Sequence, residues 1–77
     1  MTIRCLVFGP LQDILQSQEI EVEESCTMPQ FRNQLYKLYP ALQERRFVMA
    51  RNHTITNEEE ILNDQDEVAL IPPFSGG

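Results

Sequence analysis

The sequence predicts an α+β fold in which one long helix lies across a mixed sheet of four to five strands. Three patterns indicate it. Residues 19–23 alternate between acidic and apolar side chains, which is typical of a strand with one buried face. Apolar residues recur every three or four positions between residues 28 and 42, as in an amphipathic helix. Residues 67–71 are almost wholly apolar, as expected for a strand in the middle of a sheet.

The N-terminal part of the chain predicts a strand over residues 2–8, which are rich in β-branched and aromatic types. Alternation along this strand puts two sets of side chains on opposite faces. One face carries Ile3, Cys5 and Val7, and the other carries Arg4, Leu6 and Phe8. Gly9 and Pro10 end the strand, and a short helix is expected over residues 11–15. The strand over 19–23 follows.

The long helix is predicted to begin at Thr27, because Thr27 and Gln30 have the spacing of a capping box. Pro40 is expected to end it near Tyr39, since the residue before a proline is disfavoured in helical geometry. The side chains expected to form its buried stripe are Met28, Phe31, Leu35, Leu38 and Leu42.

The remaining chain predicts a strand over 47–51, a short edge strand over 54–56, and a helical turn over 58–62 capped by Asn57. A turn over 63–66 then leads into the last strand, 67–71, which is expected beside the first strand. That order is a β-grasp, or ubiquitin-like, arrangement. We therefore predict a β-grasp domain over residues 1–71 and an extended tail over 72–77.

Length and charge exclude several classes of function. A chain of 77 residues has one thin core and no room for a deep pocket, so a self-contained enzyme is not expected. A net charge of −6 argues against nucleic acid, which binds clustered positive charge. The charges are segregated, with five basic residues and one acidic residue between positions 31 and 51. The acidic residues Asp64, Asp66 and Glu67 are expected to help dock the tail end on a basic partner.

The two cysteines are too few for the disulfide framework of a small secreted domain. Cys5 is expected to be a buried strand residue, and Cys26 an ordinary loop cysteine before the helix, where a thiol pKa can be lowered. His53 is interpreted as a surface turn residue, and no metal site is predicted. Without a signal peptide or an apolar stretch of ~20 residues, we expect a cytoplasmic protein that does not enter membranes.

The tail carries the predicted chemistry. Pro72 and Pro73 cannot continue a central strand, and residues 74–77 would extend roughly 13 Å further at ~3.3–3.6 Å per residue. Gly76 and Gly77 have no Cβ, so the catalytic groups of another protein can approach the backbone closely. The ionised terminal carboxylate can attack the α-phosphate of ATP to give an acyl-adenylate, which a sulfur or amine nucleophile then takes over. An inert, frayed end is the alternative.

Residues 64–77, DQDEVALIPPFSGG, resemble the C-terminal signature of the small subunit of molybdopterin synthase, in the MoaD/ThiS family of ubiquitin-like sulfur carriers. The usual form has a Gly-Asp-Glu turn, an apolar strand, Pro-Pro, Val, Ser or Ala, and Gly-Gly. This chain departs from it in two places. Gln65 stands where the family often has glycine, and Phe74 stands where valine is more usual.

The resemblance implies that the chain is a sulfur carrier and no enzyme on its own. An E1-like adenylyltransferase would adenylate Gly77 with ATP, and a sulfur donor enzyme would convert it to a thiocarboxylate. The tail would then give sulfur to cyclic pyranopterin monophosphate in the large subunit of a heterotetramer of two small and two large subunits. No cofactor would be bound by this chain itself.

Docking is expected on the sheet face away from the long helix. The candidate contacts on the domain are Leu6, Phe8, Ala69 and Ile71, and those on the tail are Pro72, Pro73, Phe74 as the anchor, and Ser75. For Leu6 and Ile71 a place in the core is an equal alternative. Three other functions stay open: a sulfur carrier for thiamine thiazole or tRNA thiolation, a ubiquitin-like protein modifier, and an interaction module with an inert tail.

Overall fold

The structure is a computed structural model that describes residues 1–55 and 60–73. Five strands form one sheet: β1 Thr2–Val7, β2 Gln18–Glu21, β3 Val48–Arg51, β4 Thr54–Ile55 and β5 Glu67–Ile71. The helix α1 spans Met28–Leu38, and two short 3-10 helices span Gly9–Asp13 and Pro40–Glu44. Among the described residues, no helix combines the length and apolar character needed to cross a bilayer.

The strands lie in the order β2-β1-β5-β3-β4, so the last strand is at the centre. β5 is parallel to β1 and antiparallel to β3. Its alternate side chains Val68 and Leu70 are fully buried on the helix side, with Ile3, Cys5 and Val7 of β1. The mixed sheet and the central position of β5 are confirmed, and the architecture is the predicted β-grasp.

The start of α1 is set by the predicted capping box. The Thr27 hydroxyl accepts a hydrogen bond from the Gln30 backbone N–H at 3.3 Å, and the Thr27 N–H donates to Gln30 Oε1 at 2.9 Å. The helix ends at Leu38, where Tyr39 leaves helical geometry before Pro40. The predicted stripe is wrong at Leu38, which is 55% exposed. Leu42 does reach the core, but from the 3-10 helix after the turn at Tyr39.

The segment after the described gap is extended rather than helical. The Leu62 N–H donates to Cys26 O at 2.8 Å, and Ile61 bridges Thr27 in an antiparallel manner. Leu62 is 1% exposed, and its burial stabilises residues 60–62 in an extended conformation beside the start of α1. The predicted helical turn is therefore wrong for residues 60–62. Its remaining residues, the Asn57 cap and Thr56 of the predicted edge strand lie outside the described residues.

The turn over 63–66 is confirmed; it leads from the extended segment 60–62 into β5 and is hydrogen-bonded to the start of β1. The Asp66 N–H donates to Asn63 O at 3.0 Å, and the Gln65 N–H donates to Thr2 O at 2.7 Å. Gln65 has a φ of 69°, in the left-handed region that glycine enters at no steric cost. This is the position at which the sequence departs from the Gly-Asp-Glu pattern, so Gln65 adopts a left-handed conformation that glycine would enter more easily.

Candidate functional site

The base of the tail lies at the centre of one end of the sheet, because β5 is central and ends at Ile71. Pro72 is half-buried and Pro73 is exposed. The four predicted tail residues beyond them lie outside the described residues: Phe74, Ser75, Gly76 and Gly77. What the structure describes is therefore the surface around the start of this segment.

Gly9 and Pro72 fit closely at the tail base. Gly9 has a φ of +62°, and a Cβ added to it would lie 2.8 Å from Cγ of Pro72. The Phe8 N–H donates to Leu70 O at 3.2 Å, which holds the end of β1 beside the end of β5. The Pro72 ring thus occupies the space of the missing side chain. Sequence reasoning treated Gly9 only as a strand end and missed this contact.

The outer face of the sheet, away from α1, carries an apolar surface. Register pairs Leu6 with Ala69, Ala69 with Ala50, and Ala50 with Ile55, so one apolar row crosses four strands. We call this surface the outer apolar patch, and its residues are Leu6, Phe8, Val48, Ala50, Ile55, Ala69 and Ile71.

Exposure separates the patch from the core. Phe8 is 46% exposed and Ile55 is 59% exposed. Leu6 and Ile71 are half-buried and do not belong to the core cluster, so their alternative as core residues is wrong. Ala69 is buried, because its small side chain lies beneath its neighbours in the middle of the sheet. The roles of these residues in docking stay predictions.

Three patch residues were missed by the sequence reasoning: Val48, Ala50 and Ile55. The alternation of Val48 and Ala50 with Met49 was visible in the sequence, but which face of β3 turns outward depends on the register of β3 with β5. Ile55 is added by its pairing with Ala50. Ile71 lies opposite Val48 in that register, which puts Val48 next to the tail base. The patch therefore reaches the end of the sheet from which the tail departs.

Asp66 and Glu67 lie at the opposite end of β5 from the tail. Glu67 and Ile71 are four positions apart along β5, which at ~3.3 Å per residue is about 13 Å. Glu67 also lies beside His53, with 3.6 Å between its carboxylate and Nε2 of that histidine. His53 is exposed in its turn, as predicted. These positions disfavour the predicted part of the two acidic residues in docking the tail end.

Asp66 instead joins β3 to the turn before β5. Its carboxylate accepts hydrogen bonds from Arg51 Nε at 2.8 Å, the Asn63 N–H at 2.8 Å and Asn52 Nδ2 at 3.1 Å. Arg51 also contacts Glu60 at 3.3 Å. Burial by itself raises the pKa of Asp66, but these donors outweigh it and lower that pKa below its ordinary value. Asp66 is thus a structural carboxylate.

The two cysteines are both buried. Cys5 is fully buried, as predicted, and burial raises the pKa of its thiol to about 12. Cys26 lies in the loop before α1, as predicted, and is buried, with 7% of its surface exposed. Burial raises the pKa of its thiol, and the negative charge of Glu23 adds to the effect. A raised pKa disfavours the thiolate, which is the reactive form of cysteine, at both positions. In the described part of the chain, no three His, Cys, Asp or Glu side chains are grouped as metal ligands.

Comparison with known proteins gives the relatives of the chain. It matches the ThiS family over residues 5–77. A molybdopterin synthase sulfur carrier subunit of Mycobacterium tuberculosis is 32% identical, over 97% of this chain and 96% of the relative. Proteins of the same name from Arabidopsis thaliana and Chlamydomonas reinhardtii are each 29% identical. The match to the Arabidopsis protein covers 97% of this chain and 82% of that protein. The match to the Chlamydomonas protein covers 100% of both.

Two solved structures have the same fold. SAMP1 from Haloferax volcanii superposes with a TM-score of 0.83 at 22% identity, covering 100% of both chains. A chain in the complex of subunits 1 and 2 of molybdopterin-converting factor from Helicobacter pylori gives 0.76 at 22% identity, also over 100% of both chains. The fold and the central tail base thus define a ubiquitin-like β-grasp protein. Within that class, the chain belongs to the ThiS family.

We expect Gly9→Ala to destabilise the fold by about 1–3 kcal/mol, because it adds a Cβ at a left-handed residue that touches Pro72. Urea denaturation measures the free energy of unfolding. In a double-mutant cycle, Pro72→Ala should recover part of the loss, since it removes the ring carbon that the new Cβ meets. Additive effects of the two changes would contradict the contact.

Asp66→Asn should flatten the acid limb of the stability profile. A folded-state pKa lowered below the ordinary value of 3.8 means that ionised Asp66 stabilises the fold at neutral pH. That contribution is lost as the pH falls through the folded-state pKa. We therefore expect the variant to be about 1–3 kcal/mol less stable at pH 7, with the difference shrinking towards pH 2. Denaturation at several pH values measures this, and Glu67→Gln is the control with the same change of charge. A constant difference at all pH values would refute the assignment.

Proposed function

We propose that the chain is the sulfur carrier subunit of a molybdopterin synthase, with the terminal carboxylate of Gly77 as its reactive group. Three relatives named as such subunits support the sulfur-carrier role. The structural observation that carries the proposal is the outer apolar patch, which extends to the tail base at Ile71. A partner that covers this patch is placed to receive the tail.

The chemistry begins at the carboxylate of Gly77. One carboxylate oxygen attacks the α-phosphorus of ATP, pyrophosphate leaves, and an acyl-adenylate forms. A sulfur nucleophile from the donor enzyme then attacks the activated carbonyl carbon, and AMP leaves with the bonding electrons. When that nucleophile is the terminal sulfur of a persulfide, the intermediate is an acyl disulfide. A thiol reductant then attacks the donor's sulfur, forms a disulfide with it, and releases the thiocarboxylate. Glycine at the last two positions gives the activating enzyme access from all sides.

The second half of the function is delivery of sulfur. The tail enters the large subunit of the synthase, where the thiocarboxylate transfers sulfur to cyclic pyranopterin monophosphate. Two such transfers make one dithiolene. In the assembly proposed, two small subunits bind two large ones, and each outer apolar patch is covered. An E1-like adenylyltransferase and a sulfur donor enzyme are the further partners, in the cytoplasm.

Intact mass spectrometry tests the carrier role. After incubation with an E1-like enzyme, ATP and a sulfur donor, we expect a mass gain equal to one oxygen replaced by sulfur, located in the C-terminal peptide. Deleting Gly77 should abolish the gain and leave the fold unchanged. An unchanged mass with every such enzyme would overturn the proposal. Isopeptide-linked adducts in cell lysate would instead support a protein modifier.

Phe74→Ala should weaken binding to the large subunit by roughly tenfold or more, as expected for a central aromatic anchor. Glu67→Gln should have a smaller effect, since Glu67 lies at the far end of β5. Isothermal titration calorimetry compares the two variants. Equal affinity of Phe74→Ala and the parent chain would show that Phe74 is no anchor. Capture of a thiazole synthase or a tRNA-thiolation enzyme in place of the large subunit would favour those acceptors.

A further inference from the structure

A basic cleft opens between α1 and the segment that leads into β3. Its volume is about 220 Å³. The basic side chains at the cleft are Arg32, Arg45 and Arg46, all of them exposed. The other residues that line it are Met28, Pro29, Tyr36, Phe47, Val48 and Met49.

The apolar side of the cleft is firmly built. The rings of Tyr36 and Phe47 meet edge to face with 6.2 Å between their centroids, which fixes α1 against the start of β3. Met28 and Met49 are 2% and 7% exposed, so they form a rigid base. An apolar side chain placed between the arginines would therefore meet aromatic and thioether groups that are already in position.

The cleft concentrates positive charge in a chain whose net charge is −6. Among the described carboxylates, those of Glu60, Asp66 and Glu67 form ion pairs, and none of these involves the three arginines. The described acidic residues Asp64, Asp66 and Glu67 lie at the opposite end of the sheet. The segment 45–47 precedes Val48, which is paired with Ile71. Arg45 and Arg46 thus precede the end of β3 that lies beside the tail base.

The dimensions of the cleft select its ligand. Sites for drug-sized molecules and cofactors usually measure ≈300–1,000 Å³, so about 220 Å³ is small for a nucleotide. It is suited to one apolar side chain of an extended peptide, with the flanking carboxylates of that peptide facing the arginines. Arginine pairs readily with carboxylates through two parallel N–H donors.

We propose that this cleft binds an acidic segment of a partner protein, anchored by one apolar side chain. The site lies on the helix side of the sheet and shares only Val48 with the outer apolar patch, and its existence does not rest on the sulfur-carrier function. A partner could hold the tail end on both sides of the sheet at once, through the patch and through this cleft.

The test is an NMR titration of the full chain, labelled with nitrogen-15, with a synthetic peptide of two glutamates, a phenylalanine and two glutamates. We expect saturable shifts at Arg32, Tyr36 and Phe47. The double variant Arg32→Glu/Arg46→Glu should weaken binding at least tenfold. A peptide with alanine in place of phenylalanine should weaken it at least fivefold.

One control separates site binding from net charge, and a second tests for a small-anion site. Arg4→Glu/Lys37→Glu changes the net charge by the same amount at residues that do not line the cleft, and it should keep the parent affinity. Equal weakening by both double variants would overturn the proposal, as would shifts confined to the outer apolar patch or no saturation at millimolar peptide. Tighter binding of pyrophosphate than of the peptide at these residues would show a small-anion site instead.

Discussion

The parallel pairing of β1 with β5 is the contact on which the rest of the structure depends. It joins the two ends of the chain at the middle of the sheet, and β2 and β3 then extend the sheet on either side. β5 lies between β1 and β3 in the sheet, so its backbone is paired on both edges and its side chains point to the two faces. Val68 and Leu70 fill the core, while Ala69 and Ile71 turn to the other face. One strand therefore holds the domain together and starts the tail.

The N-terminal end of β5 is held by specific contacts, as is its C-terminal end at Ile71. Asp66 receives three hydrogen bonds from β3, the turn after it and its own turn, and Gln65 bonds to the start of β1. The strand is thus held in register at its first residue by polar contacts and along its length by core packing. A one-residue slip would exchange its core and outer faces. The polar network and the two-faced apolar pattern oppose that slip together.

The sequence was sufficient wherever one local pattern decided the outcome. The capping box at Thr27 and the apolar run of β5 have strong local causes, and both features are present. Prediction failed where a distant contact decided. Leu62 is drawn into extended structure by burial beside Cys26, against a weak local helix signal. Leu38 is outside the core and is the last residue of α1, because Tyr39 leaves helical geometry before Pro40.

The candidate site divides in the same way. The tail motif was visible in the sequence, as were Leu6 and Ile71 as residues of an outward face. Their separation from the core, and the addition of Ala50 and Ile55, needed the strand register. The basic block between residues 31 and 51 was visible too, but its concentration around one cleft depends on how α1 meets β3. Strand registers and helix–strand contacts are set by the whole chain, so no short window of sequence contains them.

The contact between Gly9 and Pro72 has a consequence for aim. In the proposed function the C-terminal tail enters the large subunit. Its direction is set where it leaves the domain at Pro72, and any angular error there grows along the tail. Here the tail base rests in a notch left by an absent methyl group more than sixty residues earlier in the chain. Under the proposed function, the direction in which the C-terminal segment leaves the domain thus depends on the absence of a Cβ at Gly9.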